Sequence, residues 1–84
     1  MFFVYLLFSN RSDKFYVGFT SNLEKRLARH NAGENLATKY GVPWELVYYE
    51  AFRNKSDALV REKKLKHHGQ GIRRLKERLR NDLK

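Results

Sequence analysis

Apolar and polar positions along the chain predict three strands and three helices. Phe2-Phe-Val-Tyr-Leu-Leu-Phe8 is aromatic and β-branched, the composition of a pleated and partly buried strand. Ser9-Asn-Arg-Ser-Asp-Lys14 follows with turn chemistry from Asn, Asp and Ser. Phe15-Tyr-Val-Gly-Phe-Thr20 reads as a second short strand, in which Gly18 marks a bulge or a point of close backbone approach. Ser21-Asn-Leu-Glu24 matches a capping box, whose hydroxyl and carboxylate satisfy the free N–H groups of a helix start. The spacing predicts a helix from about Asn22 to Asn31, stopped at Gly33, with Leu23, Leu27 and His30 turned inward and Arg26 at the edge of that stripe.

Glu34 to Pro43 is the least regular segment. Asn35, Gly41 and Pro43 argue for a loop, with one helical turn near Leu36-Ala-Thr-Lys39. Thr38, Lys39 and Tyr40 could reach phosphates from this loop or simply face solvent. Trp44 packs at the start of a third strand, Glu45-Leu-Val-Tyr-Tyr-Glu-Ala-Phe52. Asn54 caps a second helix over about Lys55 to His67, with Asp57 supporting its start. Its apolar positions are Ala58, Leu59 and Leu65, and Glu62 falls between them at the middle of the inward face. A carboxylate there costs several kcal/mol unless it is paired, protonated or bound to a cation. Arg26 is the candidate partner. Gly69-Gln-Gly71 breaks this helix, and a third follows with Ile72, Leu75 and Leu79 on one face and arginines and lysines elsewhere. The order is β-β-α-β-α-α, an α+β class fold in one domain over residues 1–84.

Charge sharpens this picture. The 84 residues carry a net +9, which points to a polyanionic partner, nucleic acid first and anionic lipid second. From Val60 onward there are ten Lys or Arg against three acids (Glu62, Glu77 and Asp82), a net of +7 out of the +9. A solvated helical tail would carry the same charge, so charge alone assigns no chemistry. The chain has no cysteine, which excludes disulfides and thiolate metal sites and fits a cytoplasmic protein. The apolar N-terminal run is too short for a signal peptide and has no basic leader, and no stretch is long enough to span a bilayer.

The chemistry-bearing residues that the elements bring together are Tyr5, Tyr16, Arg26, His30 and Glu62. No Ser/His/Asp set, glycine-rich phosphate loop or pair of carboxylates is supported by the spacing. His67 and His68 are adjacent on a helix and point different ways, so they make a poor metal pair. A single carboxylate can hold Mg²⁺ when substrate phosphate and waters complete the octahedron. Arg26 could then neutralise a phosphoryl group while a tyrosine or His30 takes a proton from water.

Val4-Tyr5-Leu6 followed by Tyr16-Val17-Gly18 resembles the paired tripeptide motif of the GIY-YIG nuclease superfamily. Gly18-Phe-Thr-Ser-Asn-Leu-Glu-Lys-Arg26-Leu-Ala-Arg-His30-Asn resembles its stretch with a helical arginine and a histidine one turn later. Val60-Arg-Glu62-Lys-Lys-Leu-Lys66 is similar to its segment with the metal-binding glutamate. The similarity covers nearly the whole chain and is greatest to small stand-alone bacterial members, related to the nuclease domain of the excision-repair C subunit and to Slx1-type nucleases. The resemblance implies a three-stranded antiparallel sheet flanked by helices. It implies that Tyr5 and Tyr16 face one active site, one of them positioning or deprotonating the attacking water. Arg26 would bind the scissile phosphate, and His30 would support the tyrosine or donate to a phosphate oxygen. Glu62 would hold a single Mg²⁺, with Mn²⁺ able to replace it, and Gly18 would clear the strand for close approach. The chain departs from the pattern in reading Val-Tyr-Leu at the first tripeptide, and in having no asparagine until Asn81 after the glutamate.

The expected function is a metal-dependent DNA endonuclease of repair or recombination, selecting branched or single-stranded DNA by structure. Lys39, Arg61, Lys63, Lys64, Lys66, Arg73, Arg74 and Lys76 would hold the backbone, and a second copy or a protein partner would add specificity. The alternative is a catalytically weak or inactive nucleic-acid-binding module on the same fold.

Overall fold

The computed structural model describes residues 1–67 and 69–83. Its elements are β1 (Phe2–Ser9), β2 (Lys14–Thr20), α1 (Leu23–Asn31), β3 (Trp44–Phe52), α2 (Lys55–His67) and α3 (Gly69–Leu83). The three strands form one sheet in the order β2-β1-β3, with both pairings antiparallel. The fold is therefore α+β, as the hydrophobic pattern and the resemblance lead one to expect.

β1 lies between the other two strands and is covered on both faces, which is why it reads as a continuous apolar run rather than an alternating one. Alternation along β1 still sorts its side chains into two layers. Val4 and Leu6 join Val17, Ala58, Leu65 and Leu79 in the layer under α2 and α3. Tyr5 and Leu7 join Trp44, with Tyr16, Leu23 and Leu27 packed against them, in the layer under α1. Burying a Leu such as Leu7, which is 1% exposed, stabilises the fold by about 1.5–3 kcal/mol.

The helix starts refine the sequence reading. Asn22, not Ser21, caps α1: its side-chain oxygen accepts from Lys25 N at 3.1 Å. The capping oxygen reaches the backbone N–H three residues on, so shifting the start by one residue hands the role to the amide. Asn54 Oδ1 accepts from Ser56 N at 2.8 Å at the start of α2. On α2, Ala58 and Leu65 are buried but Leu59 is 41% exposed, because a step of roughly 100° from Ala58 carries it off the core-facing stripe. Gly69, Gln70 and Gly71, expected to break the helix, already belong to α3. Leu79 of α3 is buried and Leu75 packs against the same core, whereas the side chain of Ile72, expected beside them, lies outside the described residues, as does His68.

The segment between α1 and β3 is not a free loop. Ser9 Oγ donates to Gly41 O at 2.6 Å, and Trp44 Nε1 donates to Thr38 O at 2.7 Å. Asn31 grips the start of β3 from both sides, donating to Trp44 O at 3.1 Å and accepting from Trp44 N at 2.6 Å. The helical turn expected near residues 36–39 forms slightly later, as a single 3-10 turn at Lys39–Gly41.

Candidate active site

The site grows from the register of the hairpin. Tyr5 on β1 lies opposite Gly18 on β2, and Tyr16 lies opposite Leu7. A Cβ built at Gly18 would run into the Tyr5 ring, so the glycine is what lets the phenol cross over β2. There the Tyr5 hydroxyl meets two residues one turn apart on α1. It lies 2.8 Å from His30 Nε2, and Arg26 Nε donates to it at 3.4 Å.

His30 continues the chain of contacts. Its Nδ1 lies 2.7 Å from Thr38 Oγ1, and both residues are 1% exposed. With one ring nitrogen on Tyr5 and the other on Thr38, neither is left for a phosphate oxygen. Of the two roles that the resemblance offers His30, the geometry favours support of the tyrosine. Tyr16 packs edge-on against the imidazole at 5.1 Å between ring centroids, and against Trp44 at 6.3 Å. It is half-buried and forms the more open wall of the cluster.

Thr38 is the residue that sequence reasoning misplaced. The sequence leaves it on an open loop, reaching phosphates or simply facing solvent, but the docking of that loop seals it against His30. Spacing alone gives no signal for this contact. The hint lies in Trp44, a large side chain whose indole N–H needs a buried acceptor and finds the Thr38 carbonyl.

Burial sets the protonation of the cluster. Burial pushes the Tyr5 phenol above its ordinary value, a shift opposed by the Arg26 hydrogen bond and charge. Burial, aided by the Arg26 charge, lowers His30 below the usual histidine range, so its imidazole is neutral near pH 7. The hydrogen bond to Tyr5 raises Arg26 further, which keeps its charge fixed.

Glu62 approaches from α2, close enough for its charge to act on both Tyr5 and Arg26. It is less deeply placed than the helical wheel suggests, with its side chain 19% exposed. Its ion-pair partner is Lys66 at 3.4 Å rather than Arg26, because a lysine one turn along the same helix reaches the carboxylate more easily than a residue on another element. Lys66 Nζ also lies 5.8 Å from the Tyr16 ring centroid. Among the described residues no group of three or more His, Cys, Asp or Glu could cage a metal. One partly exposed carboxylate suits Mg²⁺, which keeps several waters and shares substrate phosphate oxygens, and does not suit a zinc or calcium cage.

The surroundings are basic. A cleft of about 430 Å³ beside the cluster is lined by Arg26, Arg29, His30, Glu34 and Asn35. Lys63, Lys64, Lys66, Arg73 and Arg74 are exposed on α2 and α3, and Lys39 is exposed on the 3-10 turn. Lys76 lies over the Phe15 ring at 5.6 Å. Arg61 is engaged elsewhere: it forks onto Glu50, with Nε to Oε1 at 2.8 Å and Nη2 to Oε2 at 2.9 Å. Among the described residues no helix is long and apolar enough to cross a membrane.

The sequence and the fold are similar to those of known proteins. The model of the GIY-YIG catalytic domain matches residues 1–78. A UPF0213 protein of Natronomonas pharaonis is 43% identical over 65 residues, covering 76% of this chain and 75% of that protein. A UPF0213 protein of Streptococcus pyogenes is 48% identical over 48 residues, covering 56% of this chain but only 52% of the relative. The solution NMR structure of a UPF0213 protein from Bacillus halodurans superposes with a TM-score of 0.55 at 30% identity, covering 96% of this chain and 84% of that one.

Proposed function

This chain belongs to the GIY-YIG family, whose catalytic-domain model spans residues 1–78, and from that premise we propose that it is a Mg²⁺-dependent DNA endonuclease. Its substrate would be branched or single-stranded DNA in repair or recombination. The observation that carries this reading is the Tyr5 oxygen, held between His30 Nε2 and Arg26 Nε on a rigid strand–helix support.

At rest the buried phenol keeps its proton and the imidazole is neutral. Tyr5 then donates to the lone pair on His30 Nε2, which requires the His30 proton on Nδ1, donating to Thr38 Oγ1. As the Tyr5 oxygen accepts a proton from the attacking water it would give its own to Nε2 in the same step, so that the charge developing on that oxygen stays beside the Arg26 guanidinium. Arg26 also faces the basic cleft, where it would neutralise charge building on the phosphoryl oxygens. Tyr16 shields the imidazole edge and keeps bulk water from short-circuiting the relay. Glu62 would hold the Mg²⁺, whose charge, when bound, offsets the negative charge on the leaving oxygen. Lys66 would first swing off the carboxylate, and from there could contact the DNA backbone.

A second reading, a binding module with little turnover, draws on one observation: Lys66 already neutralises Glu62. Cleavage of labelled branched, single-stranded and duplex DNA, with Mg²⁺, Mn²⁺ or chelator, decides between the two. Metal-dependent cutting should disappear in Tyr5→Phe and in Glu62→Ala, with DNA binding retained. No cutting of any substrate by the unaltered chain, with salt-sensitive binding intact, would leave the binding module standing instead.

A further inference from the structure

We propose that the side of the sheet opposite Tyr5 carries a second phosphate-binding cleft, which holds a DNA backbone phosphate distinct from the scissile one. It rests on the reading of this chain as a DNA nuclease and assigns a separate surface to the part of the substrate that is not cut.

The cleft has a volume of about 250 Å³ and is lined by Tyr48, Arg61, Arg74, Leu75 and Arg78. Tyr48 is in register with Leu6 and packs in the layer under α2 and α3, whereas Tyr5 packs in the layer under α1. The two sites therefore lie on opposite faces of the sheet. A network organises the wall of the cleft. Glu50 Oε1 accepts from Arg61 Nε at 2.8 Å, and Oε2 accepts from Arg61 Nη2 at 2.9 Å and from the Tyr48 hydroxyl at 2.6 Å.

That network fixes the Arg61 plane without exhausting it. A guanidinium has five N–H donors, of which Glu50 takes two, so three remain on an already oriented fork. Arg74 and Arg78 stand one turn apart on α3, both exposed, and neither forms an ion pair among the described residues. Three guanidiniums thus line one cleft, and the carboxylate behind Arg61, that of Glu50, is already held by Arg61 and Tyr48. Planar forks converging on one space, with a carboxylate already satisfied, match the oxygens of a phosphate group. The exposed Lys63, Lys64 and Arg73 extend the positive surface on the same two helices, which suits an extended polyanion better than a small enclosed ligand.

One duplex engages both faces only by wrapping, whereas a branched substrate can present a second arm to this cleft. The test follows the arginine side-chain N–H resonances by NMR during titration with a short branched DNA, and separately with inorganic phosphate, in chelator so that nothing is cut. Arg61, Arg74 and Arg78 signals should shift saturably with DNA alongside those of Arg26. In Arg74→Gln/Arg78→Gln the Arg61 shift should vanish while the Arg26 shift persists, and the slope of log affinity against log salt should fall by about 1, for the one phosphate lost. Movement of Arg26 without the cleft arginines would overturn the second site and leave the nuclease reading intact. Movement of neither would remove both. A cleft that responds to inorganic phosphate but not to DNA would be a free-anion site, and the backbone assignment would fail.

Discussion

The Thr38 hydroxyl lies 2.7 Å from His30 Nδ1, and both side chains are 1% exposed. A loop threonine thereby meets the ring of a histidine eight residues earlier, which in turn faces the Tyr5 oxygen. Replacing Thr38 by Val keeps the shape but leaves Nδ1 buried without a partner. The expected loss is about 1–3 kcal/mol of stability, while Thr38→Ser should recover most of it. Urea unfolding measures the first effect. The distribution of His30 between its two neutral tautomers, read from ¹⁵N shifts, measures whether Thr38 also fixes the proton on Nδ1.

Gly18→Ala tests the close approach of Tyr5 to β2. The added methyl occupies space held by the Tyr5 ring, so the phenol has to move or the hairpin has to open. Overpacking of this kind typically costs about 1–3 kcal/mol. Displacement of the hydroxyl from His30 and Arg26 should also reduce cleavage by at least about tenfold, given the distance sensitivity of positioned groups. A variant that cuts normally would show that the Tyr5 position is not what the reaction needs.

The His30 shift has a definite sign in stability. Its folded pKa lies below 6.5, so between that folded value and 6.5 the unfolded chain binds more protons than the folded one. Stability therefore rises with pH through that window and falls as the solution is acidified below about pH 6.5. The midpoint of urea unfolding, followed from pH 7 down to 5, should drop in the unaltered chain and drop less in His30→Gln. An identical decline in both would place the acid sensitivity elsewhere.

Arg61 and Arg74 make a paired comparison. Arg61→Ala removes both guanidinium bonds to Glu50 and leaves a half-buried carboxylate with only the Tyr48 hydroxyl. Charged hydrogen bonds of this kind carry about 1.5–3 kcal/mol. With the Arg61 side chain 38% exposed, solvent screening brings the expected loss toward about 1 kcal/mol. Arg74 is exposed and without an ion pair among the described residues, so Arg74→Ala should stay within about 0.5 kcal/mol. Differential scanning calorimetry separates the two outcomes.

Much of the fold was legible because its signals are local. The β-branched and aromatic runs, the Asn54 cap and the extent of α2 follow from contacts spanning one turn or one strand. The Arg26–His30 spacing placed both side chains on the face of α1 that meets Tyr5, as found. Glu62 was legible only in part. The helical wheel locates it near the core, but whether Arg26 or Lys66 answers its charge depends on distances between elements. Arg61 shows the same division: its place on a basic helix is plain, while its fork onto Glu50 depends on how α2 is laid across β3.

The sequence by itself determined the order of elements, the face of α1 that is buried and the set of polar residues available for a site. These depend on hydrogen bonds and periodicities that close within a few residues. Tertiary structure alone decided that β1 runs between the other two strands, that the Tyr5 ring lies over Gly18, and that the docked loop carries Thr38 to His30. It also decided that the basic surface divides between two faces of the sheet. Those outcomes depend on burial and charge at distances in space, and residues as far apart in the chain as Tyr5 and His30 become neighbours only once both layers of core have packed.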